Sequence, residues 1–341
     1  MKKQVKIVIV AIACLLVVSA IVVPSVLFAL GYIDYAEPAV SQEGKYLLVY
    51  FSGNLPEEER IKYAVSEDGY NFSPLNNNQP VVTQTVGTEC ARDPFILRGE
   101  DGCFYLMATD MRSELGWTSN HAIVTWKSTD LINWTEETLI DLKDVKSPLS
   151  NRAWAPQAIW DEEEGMYMIY LSASVWLDEN QTQSSITSIW GMYTKDFKTI
   201  EGEPFELFRA PEGKDAIDAD IVKGDDGIYY MYYKDENNAT ICYATCDTLA
   251  GTYTAPDDNI VNVRYEGVEG NFMYRIAGTD TYVMMMDSYK HDRFYIQQTT
   301  DMVHFKRVAF SDYSFDFAPR HGAILHISDK EYASLVEAFG K

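Results

Sequence analysis

The sequence predicts an all-β body, a five-bladed β-propeller, preceded by one N-terminal transmembrane (signal-anchor) helix. Three observations predict it: a strand-and-turn unit that recurs five times, Asp-Gly hairpin signals inside the units, and a charge-free apolar run at the N-terminus.

Each unit closes with a strand ending in Ser or Thr, then an Asp. The closings are Ser66-Glu67-Asp68-Gly69-Tyr70, Ser128-Thr129-Asp130-Leu131, Thr194-Lys195-Asp196-Phe197, Thr245-Cys246-Asp247-Thr248 and Thr300-Asp301-Met302. The five aspartates are 62, 66, 51 and 54 residues apart. Self-similarity at a long period is the mark of a repeat architecture. Within the units, Glu100-Asp101-Gly102, Glu163-Glu164-Gly165 and Asp225-Asp226-Gly227 precede aromatic-rich strands such as Ile228-Tyr229-Tyr230-Met231-Tyr232-Tyr233. Turn residues of this kind between alternating strands signal hairpins. About four short strands per unit is the content of one propeller blade. A β-sandwich would not repeat at this period.

Composition agrees. Aromatics make up 13% of the 341 residues, with 23 Tyr and 7 Trp, and such side chains favour strands. Most of them, including Trp126, Trp134 and Trp160, are expected to pack between blades. The formal net charge is -23, which repels phosphate backbones and excludes nucleic acid as a partner.

The N-terminus reads as an address. Lys2, Lys3 and Lys6 precede 27 residues, 7–33, without a charge. That exceeds the ~20 residues needed to cross a bilayer and the ~7–15 of a cleavable signal core. Positive charge on the short side keeps that end cytoplasmic. The expected layout is a membrane anchor at 1–33, a polar linker at 34–45 and a propeller at 46–341, held at the cell membrane with its body extracellular. The alternative is a secreted protein cut near Ala20 or Ala29.

Of five cysteines, Cys14 lies in the apolar run, and Cys90, Cys103, Cys242 and Cys246 form no CxxC pair. Free buried thiols are the expected state, with a Cys90–Cys103 or Cys242–Cys246 disulfide as the alternative. No Gly-rich phosphate loop, nucleophile elbow or HExxH is present, which argues against kinase, serine hydrolase and metalloprotease readings.

Three carboxylates stand out. Asp93, Asp218 and Glu269 each open an inner strand, in blades two, four and five by the repeat count. Inner-strand ends converge on a propeller's axis, so residues 125 and 51 positions apart are expected to meet.

Here the chain resembles the glycoside hydrolase family 43 group, inverting five-bladed propellers acting on arabinose- and xylose-containing glycans. The resemblance covers residues 45–327. It rests on Arg92-Asp93-Pro94-Phe95-Ile96, Trp154-Ala155-Pro156-Gln157, Ala216-Ile217-Asp218-Ala219 and Val268-Glu269-Gly270. It implies Asp93 as general base, Asp218 as the residue that tunes and orients the acid, and Glu269 as general acid. Pro319-Arg320-His321-Gly322 resembles a late motif, implying an axial His321 that holds a calcium ion directly or through water. Asn271, Gln157 and Ala219 depart from the pattern. Trp117, Trp154, Gln157, Tyr289 and Arg293 are expected to bind an oligo- or polysaccharide. The loops at 113–120 and 175–185 are expected to set specificity.

Inversion needs a protonated acid and an ionised base about 6.5–9.5 Å apart, with water between base and anomeric carbon. An anion beside Glu269 would help it keep a proton, because like charges resist ionising together. Two non-catalytic readings compete: a glycan-binding propeller, motivated by Asn271 and Gln157, and a protein-binding surface scaffold.

Overall fold

The computed structural model describes residues 35–143, 149, 152–263 and 267–340. The expected anchor helix and its Cys14 lie outside them. Among the described residues no helix is long and apolar enough to cross a membrane.

Strand β1 (Tyr35–Ala36) is followed by β2 (Lys45–Tyr50), β3 (Lys62–Ser66) and β4 (Asn71–Pro74), which belong to blade one. Blade two is β5 (Ala91–Arg98), β6 (Phe104–Asp110), β7 (Ala122–Ser128) and β8 (Thr135–Asp141). Blade three is β9 (Trp154–Asp161), β10 (Met166–Ala173), β11 (Ser188–Thr194) and β12 (Ile200–Phe208). Blade four is β13 (Ala216–Lys223), β14 (Tyr229–Asp235) and β15 (Thr240–Cys246). Blade five is β16 (Glu269–Arg275), β17 (Tyr282–Ser288), β18 (Arg293–Thr299) and β19 (Lys306–Val308). Then β20 (Ser314–Phe315) and β21 (Gly322–Ile327) return to blade one, and helix α1 (Asp329–Phe339) ends the described chain.

The described strands thus form five sheets, one per blade. Blade one runs β20-β4-β3-β2-β21, so its innermost strand comes from the C-terminal end. Lys45–Tyr50 is therefore a second strand, and His321, just before β21, enters at the axis. Ring closure by the two chain ends leaves blade one no free inner edge.

The recurring aspartates cap the turn between the third and fourth strands. Asp68 Oδ1 accepts from the backbone N–H of Tyr70 and of Asn71, both at 2.8 Å. Asp130 accepts from Ile132 at 2.9 Å and Asn133 at 2.8 Å. Asp196 and Asp301 repeat the pattern. A short carboxylate reaching the N–H two residues on is what makes Asp a turn former. Blade four departs from four strands: its outer edge is covered by isolated bridges from Thr245 to Thr254 and Cys242 to Ile260. Gly251 and Pro256 lie in that stretch, and a proline cannot donate to a ladder.

Core packing lies between blades, in five buried clusters. In β2, Tyr46, Leu48 and Tyr50 pack towards blade five, while Leu47 and Val49 pack towards blade two. Period-2 alternation sends successive side chains to opposite faces, and here both faces are covered. Trp126 and Trp134 pack between blades one and two, and Trp160 between two and three, as expected. Cys90, Cys103, Cys242 and Cys246 are free, so neither disulfide forms.

Two features were not legible beforehand. In the segment expected as a linker, Tyr35–Ala36 adds to blade five in parallel with Arg307 and Val308, and Gln42 N–H donates to Ala277 at 3.0 Å. The C-terminal helix is capped by Ser328 and Glu331 in a reciprocal capping box. Glu331 also pairs with Arg98 of β5 at 2.8 Å, tying helix to blade two.

Candidate active site

The inner strands of blades two to five share one distortion near the axis. Each carries a register shift, between Arg92 and Phe95 in β5, Ile217 and Asp220 in β13, and Glu269 and Phe272 in β16; in β9 it falls opposite Tyr170 and Ser172. At the bulge a residue adopts positive φ: Asp93 at 48°, Ala155 at 49°, Asp218 at 53° and Gly270 at 54°. A bulge re-aims the side chains around it, which is why bulges concentrate beside active sites.

This alignment corrects one expectation. Asp93 and Asp218 occupy the same blade position, but the residue equivalent to them in blade five is Gly270. Glu269 is one residue earlier, equivalent to Arg92, Trp154 and Ile217. The acid candidate thus enters from a different ladder position than the base candidate.

A glycine is required at 270 for two reasons. Its φ is positive, and a Cβ there would lie 2.5 Å from His321 Cγ. Blade five gives up its side chain at this point so that His321 can fill the axis.

The bulges are linked around the ring. Residues facing them on the second strands accept a backbone N–H from the next blade. Ala155 N–H donates to Thr109 Oγ1 at 2.8 Å, Asp218 N–H to Ser172 Oγ at 3.0 Å, and His321 N–H to Asp287 Oδ2 at 3.2 Å. In blade four the equivalent residue is Lys234, which cannot accept. Gly270 N–H donates instead to Asp218 Oδ2 at 2.9 Å.

A cleft of about 480 Å³ opens over this ring. Asp93, Asp218, Glu269, Trp117, Trp154, Tyr289 and His321 all line it, with Arg92, Lys234, Glu236 and Arg320. Trp117 is half-exposed at the rim, its ring 5.2 Å from the Arg92 guanidinium. Gln157 and Arg293 are not brought there. Gln157 is buried, its Oε1 accepting from the Tyr170 hydroxyl at 2.8 Å, so its amide braces blade three. Arg293 lines a separate depression with Phe310 and Phe315, because β18 is the third strand outward.

Electrostatics separate the carboxylates. Burial would raise Asp93, but the hydrogen bond and charge of His321, the charge of Arg92 and the Thr109 hydroxyl outweigh it and hold the carboxyl below its ordinary value. Thr109 Oγ1 donates to Asp93 Oδ2 at 2.9 Å, and His321 Nδ1 lies 3.5 Å from Oδ1. Burial, with the charges of Glu269 and Asp93, pushes Asp218 up to about 6 against the opposing charge of His321. His321 is opposed by burial, yet the contact with Asp93 and the charges of Asp218, Asp93 and Asp287 raise it to about 9.

Glu269 is held between two cations. Lys234 Nζ is 2.8 Å from Oε2 and Arg320 Nη2 is 3.0 Å from Oε1. Arg320 Nε also pairs with buried Asp287 at 2.5 Å. Burial first, then the charge of Glu269, lifts Asp287 to about 7 against Arg320. Asp220 is raised to about 7 by burial. Lys234, Glu236 and Asp287 were missed in the sequence. Superposing the second strands of the blades would have marked Lys234 and Asp287, which stand where Thr109 and Ser172 do.

His321, expected to hold a calcium ion directly or through water, lies on the axis against Asp93. Calcium takes six to eight oxygen ligands. Among the described residues no three His, Cys, Asp or Glu side chains are grouped to hold a metal. No step below runs through a metal.

Residues 42–333 match the family described as "Probable glycosyl hydrolase domain" (Glyco_hydro_43_rel). An alpha-L-arabinofuranosidase of Bifidobacterium longum subsp. longum is 29% identical over 218 residues, 58% of this chain. The match spans 20% of that relative's length. A thermostable family-43 glycoside hydrolase shares the fold with a TM-score of 0.59 at 15% identity, over 84% of this chain and 99% of its own. An exo-1,5-alpha-L-arabinanase from a bovine ruminal metagenomic library does so with a TM-score of 0.56 at 15% identity, over 81% and 97%.

Proposed function

Since the chain belongs to this glycoside hydrolase family 43-related family, we propose that it hydrolyses arabinofuranosyl linkages, or xylosyl linkages, of oligo- or polysaccharides by single displacement with inversion. One observation carries the reading: Asp93, Asp218 and Glu269, from three different blades, line one axial cleft. The similarity to an arabinofuranosidase favours the arabinofuranosyl linkage.

Asp93 is the general base. Its contacts with His321 and Thr109 keep it ionised, and it takes a proton from water as that water attacks the anomeric carbon. Glu269 gives a proton to the departing glycosidic oxygen. One proton enters the enzyme at Asp93 and one leaves at Glu269, so the site must exchange them before the next turnover. Asp218 orients the acid through the Gly270 N–H. Trp117, Trp154 and Tyr289 offer flat apolar faces on which a sugar ring stacks. The expected site of action is the cell surface, on the strength of the apolar run at 7–33.

Glu269→Gln tests the acid. General acid catalysis contributes roughly 10²–10⁴-fold, so kcat on arabinan oligosaccharides should fall by that order, and far less on a dinitrophenyl arabinofuranoside, whose leaving group needs no proton. Equal turnover of oligosaccharides by wild type and variant would sink the assignment. A second reading, glycan binding without turnover, is favoured by the two cations on Glu269, since those are contacts of a carboxylate and an acid catalyst needs a proton. Binding with no product from any arabinoside or xyloside would support it.

A further inference from the structure

Lys234 has no counterpart in the other blades. At its position Thr109, Ser172 and Asp287 accept the next blade's backbone N–H. Lysine has only donors, so blade four loses that acceptor and Asp218 supplies it instead. The substitution therefore serves no purpose in the ring of hydrogen bonds. Lys234 is 3% exposed, and an ammonium that buried needs partners. It has two carboxylates. Glu269 Oε2 lies at 2.8 Å and Glu236 Oε2 at 2.5 Å, with the Tyr289 ring 5.5 Å away. Glu236 is half-exposed on the wall of the cleft, whereas Glu269 is mostly buried.

We propose that Lys234 is a positioning residue shared between Glu269 and Glu236, and that Glu236 draws it away from Glu269 so that the acid can take up its proton. This deepens the glycosidase reading and rests on Glu269 being the acid. The lysine locks the Glu269 carboxylate in place in the free enzyme. The ammonium moves to Glu236 while the cleft is still open, Glu269 receives a proton from solvent, and a sugar entering against Tyr289 and Trp154 then excludes water from the cleft. No atom is gained or lost by Lys234 itself. The other groups facing Glu269 are fixed: Arg320 is held by Asp287, Asp218 by the Gly270 N–H, and His321 faces Asp93. Glu236, at the rim, is the partner free to compete.

The test is the pH dependence of kcat/KM on an arabinan oligosaccharide for the full chain and three variants, with Glu269→Gln as control. Lys234→Met removes a cation from the acid, so the basic limb should move up by about one pH unit. The acid also loses its hold, so kcat at the optimum should fall on the order of ten-fold, and by less than about three-fold on a dinitrophenyl glycoside. Glu236→Gln removes the competitor, so the basic limb should move down. Lys234→Arg should restore the wild-type limb. Glu236 lies at the rim, so its variant reports even if Lys234→Met folds poorly. Limbs that stay put in both variants, with Glu269→Gln still impaired, overturn the sharing and leave the acid assignment standing. A loss that is equal for both leaving groups makes Lys234 merely structural and also overturns it. An active Glu269→Gln overturns the acid assignment itself.

Discussion

Gly270→Ala separates what the bulge tolerates from what the site demands. Two costs add. The left-handed backbone costs an L-residue about 1–2 kcal/mol. The new Cβ would sit 2.5 Å from His321 Cγ and 2.6 Å from its Cβ, so the buried imidazole must shift. Forcing a methyl into a packed interior costs about 1–3 kcal/mol. The sum is about 2–5 kcal/mol, which lowers Tm on the order of 10 °C for a body of this size. The first cost alone is one this fold already bears, because Ala155, Asp93 and Asp218 hold the same conformation in other blades. The second cost is specific to blade five and falls on the partner of Asp93. Activity should therefore drop further than stability, with kcat down on the order of 100-fold in the protein that remains folded. Scanning calorimetry and kcat/KM on an arabinan oligosaccharide measure the two effects. Ala155→Gly is the control, relieving backbone strain while adding unfolded-chain freedom, and its Tm should stay within about 2 °C of wild type. A Gly270→Ala protein with wild-type Tm and kcat/KM refutes the packing argument.

Stability should fall as pH rises from about 5 to 9. Asp218, Asp220 and Asp287, ordinarily at 3.8, are raised to about 6, 7 and 7 on folding, and His321 rises from 6.5 to about 9. In that window the folded state binds more protons than the unfolded one, so each group's contribution is present below its unfolded value and is lost as pH rises through its folded value. The His321 shift alone is worth roughly 3 kcal/mol. A Tm that climbs between pH 6 and 9 contradicts this, and His321→Gln should flatten the upper part of the curve. Chelation is the third expectation: EDTA should leave Tm and kcat as they are, since among the described residues no three His, Cys, Asp or Glu side chains are grouped to hold a metal. A fall of several degrees that calcium reverses would restore His321 as a ligand.

The strands, the Asp-capped turns and the number of blades were legible because each is encoded by neighbouring residues. A strand needs only its own alternation, and the turn at Asp68 needs only Tyr70 and Asn71 beside it. Asp93, Asp218 and Glu269 were found for a related reason, since each belongs to a short contiguous motif. Gln157 was misassigned on the same basis. Its motif lies at the cleft, but the side chain sits past the bulge, where the chain has turned into blade three's core.

Contacts across the axis had no such local signature. Phase came first: only closure showed that β21 is the inner strand of blade one, which places His321 on the axis and Lys45–Tyr50 one strand out. Register came next, because the bulges put Gly270, not Glu269, level with Asp93 and Asp218. Partners came last. Lys234 meets Glu269 across 35 residues of sequence, and Arg320 meets it across 51. By itself the sequence determined five blades and three acids. Which acid faces a cation, which is buried and which stays ionised was decided only when the ring closed, because charge and burial depend on distances through space that no single segment contains.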